Sequence, residues 1–166
     1  MSPDRPLRAA DVELTAADPS SPEARQCLEQ YFAELAARFR TGFDRGRDSA
    51  ADARDLAPPG GCLLVARLRG EPVGCAGLRA LEPGIGEIKR MWVAPAARSR
   101  GIGRRFLGEL EQLGRRRGMR ALRLDTNESL AEALRLYRSC GYREIAPFND
   151  NPYAHHWFEK LLAGRE

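Results

Sequence analysis

Two stretches of this chain carry residue types that chemistry can use. The first is Arg98-Ser99-Arg100-Gly101-Ile102-Gly103-Arg104-Arg105-Phe106, in which four arginines and two glycines one apart share nine positions. Backbone N–H groups in the first turn of a helix lack internal partners, and the helix dipole adds partial positive charge there. Gly101 and Gly103 would let the chain turn sharply and let an anion reach those amides without meeting a Cβ, while Arg98, Arg100 and Arg104 add fork-shaped donors. A pyrophosphate suits such a mouth; a plain helix cap with solvated arginines is the competing reading. The second stretch is Leu136-Tyr137-Arg138-Ser139-Cys140-Gly141-Tyr142. A tyrosine with its ordinary pKa of about 10 keeps its proton at neutral pH and can donate it. Tyr137 also shares helical spacing with Leu130 and Leu134, which suits plain core packing equally.

Two other phosphate loops fail on spacing. A Walker loop requires G-x-x-x-x-G-K-[ST], which the chain lacks. A Rossmann loop requires G-x-G-x-x-G directly after a strand. Here Phe106 stands at the third glycine, seven residues separate Val93 from Gly101, and no second strand-helix-strand unit follows, although Asp125 imitates the ribose-binding acid.

Positioning these groups requires a particular order of elements. Residues 7 to 14 read as a first strand, and Ser21-Pro22-Glu23 as N-cap, first-turn proline and early acid of a helix running to about residue 40. Residues 41 to 60 are rich in Gly, Asp, Ala and Pro, with one short helix around 48 to 56, and read as a surface segment that covers a site. The apolar runs 62 to 69 and 71 to 81 form a hairpin about Gly70, and 86 to 93 a third strand. Ile102, Phe106, Leu107, Leu110 and Leu113 mark a helix from about 99 to 117. A strand follows at 121 to 126, then a helix through Leu130, Leu134 and Tyr137 that stops at Gly141, then two strands at 142 to 146 and 155 to 162 joined by the loop 147 to 153. The unit from 86 to 126 must be a parallel crossover, because a helix is too long for a hairpin connection. The expected fold is α/β (α+β): a mixed, largely antiparallel sheet of six to seven strands with about four helices, in one domain over residues 1 to 166.

Composition narrows the function classes. The chain has 166 residues, 43% hydrophobic and 30% charged, with neither an apolar run long enough to span a bilayer nor the h-region of a signal peptide, so a cytoplasmic location is expected. The net charge is +4, but the first 60 residues hold 8 basic and 11 acidic side chains of the 27 and 23 in the whole chain, so the positive end belongs with Arg98 to Arg105. Cys27, Cys62, Cys75 and Cys140 are scattered without C-x-x-C spacing and read as small hydrophobes, with no metal implied.

The combination R-x-x-G-x-G at 98 to 103, preceded by Val93 and Pro95 after a strand and followed by L-Y-x-x-x-G-Y at 136 to 142, resembles the GCN5-related N-acetyltransferases. The resemblance runs from about 62 to 162. It implies acetyl-CoA as co-substrate, held where the strands at 86 to 93 and 121 to 126 splay apart. Arg98, Ser99, Arg100, Gly101, Ile102, Gly103 and Arg104 would then hold the pyrophosphate, and Met91, Trp92 and Val93 the pantetheine arm. Acetyl transfer to an amine needs a donor near the thioester oxygen, a proton acceptor for the ammonium and a proton donor for the thiolate. The resemblance makes Tyr137 that proton donor and Glu87, six residues before Val93, a candidate base, with a solvated strand carboxylate and a water chain as the alternative. Many relatives carry an asparagine seven residues before the tyrosine; Leu130 stands there, and Asn127 is the nearby substitute.

Remaining polar residues are assigned by position. His155 and His156 are adjacent in a strand and point to opposite faces, so they share no metal, though one could face the acceptor. Arg115, Arg116, Arg117, Arg120 and Arg123 would form a basic patch without a nucleic-acid-reading motif, better used on the 3′-phosphate of CoA. Glu82, Glu87 and Asp150 would suit a cationic amine. The expected function is transfer of an acetyl group to the primary amine of a small molecule; a protein lysine or N-terminus, or a CoA-binding module without catalysis, is the alternative. Neither nucleic acid nor membrane is expected as a partner, and a homodimer is left open.

Overall fold

A computed structural model describes residues 8 to 40, 42 to 44 and 53 to 162. Seven strands form one sheet: β1 (Glu13–Ala17), β2 (Gly61–Leu68), β3 (Glu71–Glu82), β4 (Ile85–Val93), β5 (Ala121–Thr126), β6 (Arg143–Ile145) and β7 (His156–Leu161), in the order β1-β2-β3-β4-β5-β7-β6. Every neighbouring pair is antiparallel except β4 and β5, the crossover pair. Three helices fall within the described residues: α1 (Pro22–Arg38), α2 (Ile102–Arg116) and α3 (Ala131–Ser139). The short helix expected around 48 to 56 lies mostly outside the described residues, which include only a helical turn at 53 to 55.

The first strand starts later than its apolar pattern predicts. A 3-10 turn occupies Ala9–Asp11, where the Asp11 carboxylate accepts the backbone N–H of Arg8 at 3.0 Å, so strand geometry begins at Glu13. Asp in such a place ties its own backbone into a turn and competes with the ladder. At α1 the Ser21 hydroxyl accepts the Ala24 N–H at 3.3 Å and Pro22 opens the helix.

Side-chain alternation gives the sheet two different faces. On one, Ala24, Cys27, Leu28, Phe32 and Leu35 of α1 pack on Leu63, Val65, Cys75 and Trp92. On the other, Ile102, Phe106, Leu107 and Leu110 of α2 and Leu134 and Tyr137 of α3 pack on Leu78, Ile88, Leu122, Leu124 and Phe158. Burial of a single such side chain contributes about 1.5–3 kcal/mol, so both helix layers are firmly held.

The middle of the sheet is where this order breaks. β4 pairs with β5 only over Ile85–Glu87 against Ala121–Arg123, although both strands continue, β4 along β3 and β5 along β7. Between Lys89 and Trp92 the register with β3 shifts, and Arg90 takes φ +60. A non-glycine residue at positive φ costs on the order of 1–3 kcal/mol. Here the Cys75 thiol donates to the Arg90 carbonyl at 3.2 Å and helps to hold the bulge. Such an extra residue increases local twist and turns a strand away from its neighbour. Past Glu87 and Arg123 the facing edges of β4 and β5 therefore diverge, each with a row of backbone groups offered to the gap.

Candidate active site

The gap opens into two adjoining cavities that share Tyr31, Leu35, Met91, Leu130 and Ala133 as walls. The first, of about 490 Å³, runs toward the start of α2. Gly101 serves as the N-cap in the left-handed conformation at φ +82, which an L side chain enters only with strain. No side chain caps this helix, so its first amides face the cavity mouth with the dipole behind them. Met91, Trp92, Val93, Arg98, Ser99, Gly101, Ile102, Gly103 and Arg104 all line this cavity, so the structure brings those expected residues together; Arg100 is exposed and lies outside its lining.

Arg98 is engaged in a way that spacing did not disclose. Its Nε donates to the Val93 carbonyl at 2.8 Å, and its guanidinium pairs with Glu34 of α1 and lies 3.9 Å from Glu132 of α3. Glu34 also accepts Trp92 Nε1 at 3.2 Å and pairs with Arg38 at 3.1 Å, and Arg38 pairs with Glu132 and donates to the Ser129 carbonyl at 2.7 Å. Burial raises the Glu34 carboxyl, but the hydrogen bonds from Arg98 and Arg38 outweigh it and hold the group below the usual range. The hydrogen bond from Arg38 likewise pulls Glu132 down to about 2. This four-residue clasp joins α1 to α3 at the edge of the cavity. Its members lie as far apart as Glu34 and Glu132 in the chain, so no short motif could reveal it.

The second cavity, of about 610 Å³, lies beside β4 and β5 between Tyr31, Leu35 and Phe39 at α1 and Leu130, Ala133 and Tyr137 at α3. Glu87 is 4% exposed in its wall and accepts Arg79 Nε at 2.6 Å. Tyr137 projects from α3 into the same space, and no hydrogen bond engages its hydroxyl among the described residues. Burial pushes the Tyr137 phenol well above its ordinary value, and the negative charge of Asp125 adds to the rise, so the hydroxyl stays protonated across the neutral range. Tyr31, on the boundary between the cavities, is pushed up to about 12 chiefly by burial, while Arg90 works against the rise. An aromatic cluster of Phe39, Phe43 and Tyr153 closes the far wall, with the Phe43 and Tyr153 rings 4.8 Å apart. The loop before β7 is fastened beside it: Asn149 and Asn151 donate to Asp125 at 2.6 and 3.2 Å. Asp125 thus anchors a loop, which answers its resemblance to a ribose-binding acid.

Other expectations fare differently. Asn127 lines the second cavity, not the first, and its amide is spent on the Tyr153 carbonyl at 2.7 Å and the Ser129 N–H at 2.8 Å. Leu130 stands at the start of α3 and walls both cavities with an apolar surface. Neither histidine lines either cavity: His155 Nδ1 accepts the Glu128 N–H at 3.1 Å and His156 pairs with Glu144 at 2.7 Å. Glu82 lies outside both linings, 3.8 Å from Arg123. The basic patch is not at the cavity mouth. Arg115, Arg116 and Arg117 occupy the opposite end of α2, about 22 Å from its start at 1.5 Å per residue. Arg117 and Arg120 bond the Gly61 and Pro83 carbonyls, and Arg123 pairs with Glu159, so a role on the 3′-phosphate is not supported. No helix among the described residues is long and apolar enough to cross a membrane.

Comparison with known proteins agrees with this geometry. The model of the Acetyltransferase (GNAT) family matches residues 28–142. An IAA acetyltransferase of Azospirillum brasilense is 43% identical over 103 residues, which are 61% of this chain and 66% of that protein, so the match spans just under two thirds of the relative. The N-alpha-acetyltransferase RimI of Mycobacterium tuberculosis is 36% identical over 140 residues, 82% of this chain and 83% of that protein. The structure of a GNAT family acetyltransferase from Elizabethkingia anophelis with acetyl-CoA bound shares the fold at TM-score 0.64 and 18% identity, covering 92% of this chain and 99% of that one.

Proposed function

The chain belongs to the GNAT family of acetyltransferases, and from that premise we propose that it is a one-domain enzyme moving the acetyl group of acetyl-CoA to the primary amine of a small molecule. The observation that carries the reading is the pair of joined cavities, one ending on an uncapped helix N-terminus and the other on a polar, aromatic-walled chamber. In this reading the first cavity takes the cofactor. The amides of Ile102, Gly103 and Arg104 and the side chains of Arg100 and Arg104 meet the pyrophosphate, and Arg98 and Ser99 shape the turn that presents them. The pantetheine arm completes the unpaired edge of β4 at Met91, Trp92 and Val93, as an added strand would. Asn127, with its amide engaged by the backbone, borders the acceptor side of the thioester.

Transfer follows in one ternary complex. The acceptor nitrogen attacks the thioester carbonyl, a backbone N–H at the β4 bulge near Met91 steadies the oxyanion, and the C–S bond then breaks. Tyr137 gives its proton to the departing thiolate. Before attack, one proton of the acceptor ammonium passes to Glu87, directly or through water, while Arg79 holds that carboxylate in place, and the second proton, shed by the nitrogen once the C–N bond has formed, restores the Tyr137 hydroxyl. No metal or other group is required by these steps.

A panel of small amines, amino acids, polyamines and peptides, assayed for CoA release from acetyl-CoA, tests this. Turnover with free amines supports the reading, and turnover confined to peptides replaces it with a protein acceptor. Binding of acetyl-CoA with no turnover on any member reduces the protein to a CoA-binding module.

A further inference from the structure

The second cavity holds one pair of opposite charges that the fold keeps apart. The last ladder partners of β4 and β5 are Glu87 and Arg123, so two residues further along the diverging strands Lys89 and Asp125 return to the same face. Both line the cavity, yet neither has an ion-pair partner among the described residues: Asp125 is held only by the neutral amides of Asn149 and Asn151. The other charges of the lining are engaged elsewhere or peripheral. Arg79 is neutralised by Glu87, Arg90 lies 5.1 Å over the Phe32 ring, and Asp44 and Asp150 are exposed at the rim. Lysine itself is rare here: Lys89 and Lys160 are the two lysines among 27 basic residues, and Lys160 is bound to Glu111.

A positive and a negative group on the two strands that wall one half-buried chamber recognise a guest that carries both signs, and each would be poorly matched by a guest with one. We propose that the acceptor is a zwitterionic α-amino acid, its carboxylate on Lys89, its ammonium between Asp125 and the shared boundary of the cavities, and its apolar side group against Phe39, Phe43 and Tyr153. This rests on the acetyltransferase reading and narrows its acceptor. The placement is chemically consistent: Lys89 precedes Met91 by two residues, so a carboxylate on Lys89 leaves the neighbouring nitrogen beside the strand edge that faces the thioester. Asp125, Tyr31 and Tyr137 line the same cavity, so an ammonium resting on Asp125 shares that chamber with the proposed proton donor. A peptide N-terminus offers the ammonium without the carboxylate and leaves Lys89 unmatched.

The test uses the full chain with acetyl-CoA and three matched acceptors: phenylalanine, phenylalaninamide and phenethylamine. The expected result is a kcat/KM for phenylalanine at least about tenfold above the other two, the scale of one well-placed ion pair. Lys89→Met should collapse that preference toward unity, mainly through KM for phenylalanine, with acetyl-CoA affinity by calorimetry unchanged. An amide or amine used as well as the acid, a preference that survives Lys89→Met, or failure of the chain to use any of the three overturns the proposal. A better rate on the amide points to peptide N-termini instead. Absence of acetyl-CoA binding would instead overturn the acetyltransferase reading itself, so the two failures are separable.

Discussion

Tyr137 stands where both readings of its position meet. It belongs to the core cluster on the α2 and α3 face, with its ring 6.1 Å from Phe158, and its hydroxyl end borders the second cavity. Because no described hydrogen bond holds that hydroxyl, Tyr137→Phe should leave stability within about 0.5 kcal/mol. Turnover should fall by roughly 10²-fold or more, the usual scale for one general acid. Thermal unfolding and steady-state rates measured on the same preparations decide the matter, and a destabilised but fully active variant would end the claim. Glu87 is argued differently, since Arg79 already takes one of its oxygens. Glu87→Gln should slow transfer most below the pKa of the acceptor amine, where a proton must be removed, and least at high pH where free amine is abundant. A loss equal across the pH range would mark Glu87 as a strut for Arg79 rather than a base.

At the scale of elements, the decisive feature is a helix that begins without a cap. A Cβ added at Gly103 would meet only Leu136 Cδ2, at 2.8 Å, the end of a flexible side chain. Gly103→Glu should therefore fold, and a carboxylate in the first turn favours the helix dipole. The same carboxylate competes for the amides assigned to the pyrophosphate, so acetyl-CoA affinity should drop by at least about tenfold, 1.4 kcal/mol. Unchanged affinity by calorimetry would remove the anion site from α2. The β4 bulge is the second such element. Its effect depends on Arg90 at positive φ and on a thiol from the neighbouring strand, neither of which a hydrophobic pattern encodes.

For the whole molecule, the first cavity is walled by α1 from one face of the sheet and by α2 and α3 from the other. A ligand filling it would bridge both core layers, and the clasp of Glu34, Arg38, Arg98 and Glu132 already draws them together at its edge. Acetyl-CoA at one hundred times its Kd should then add about 2.7 kcal/mol to global stability, a rise in Tm of about 5–10 °C for a chain of this length. The shift should shrink in Gly103→Glu at the same concentration. A chain whose Tm is indifferent to acetyl-CoA would not hold it in this cavity.

The sequence by itself determined what depends on neighbours in the chain. The helix mouth at 98 to 106, the crossover from 86 to 126 and the antiparallel run of strands from 62 to 93 follow from glycine freedom, amphipathic period and the length of a connecting helix, all of which act over a few residues or one turn. That is why Met91 to Val93 and most of Arg98 to Arg104 fall in one cavity. Tertiary structure alone decided the rest. Asn127 was taken by the Tyr153 carbonyl, and Arg117 and Arg120 came to rest on the Gly61 and Pro83 carbonyls. The clasp, the shared face of Lys89 and Asp125 and the aromatic wall join residues that meet only through the sheet's register and its break. An ion pair or a cavity is a relation between distances in space, and those distances are set once the whole core has packed.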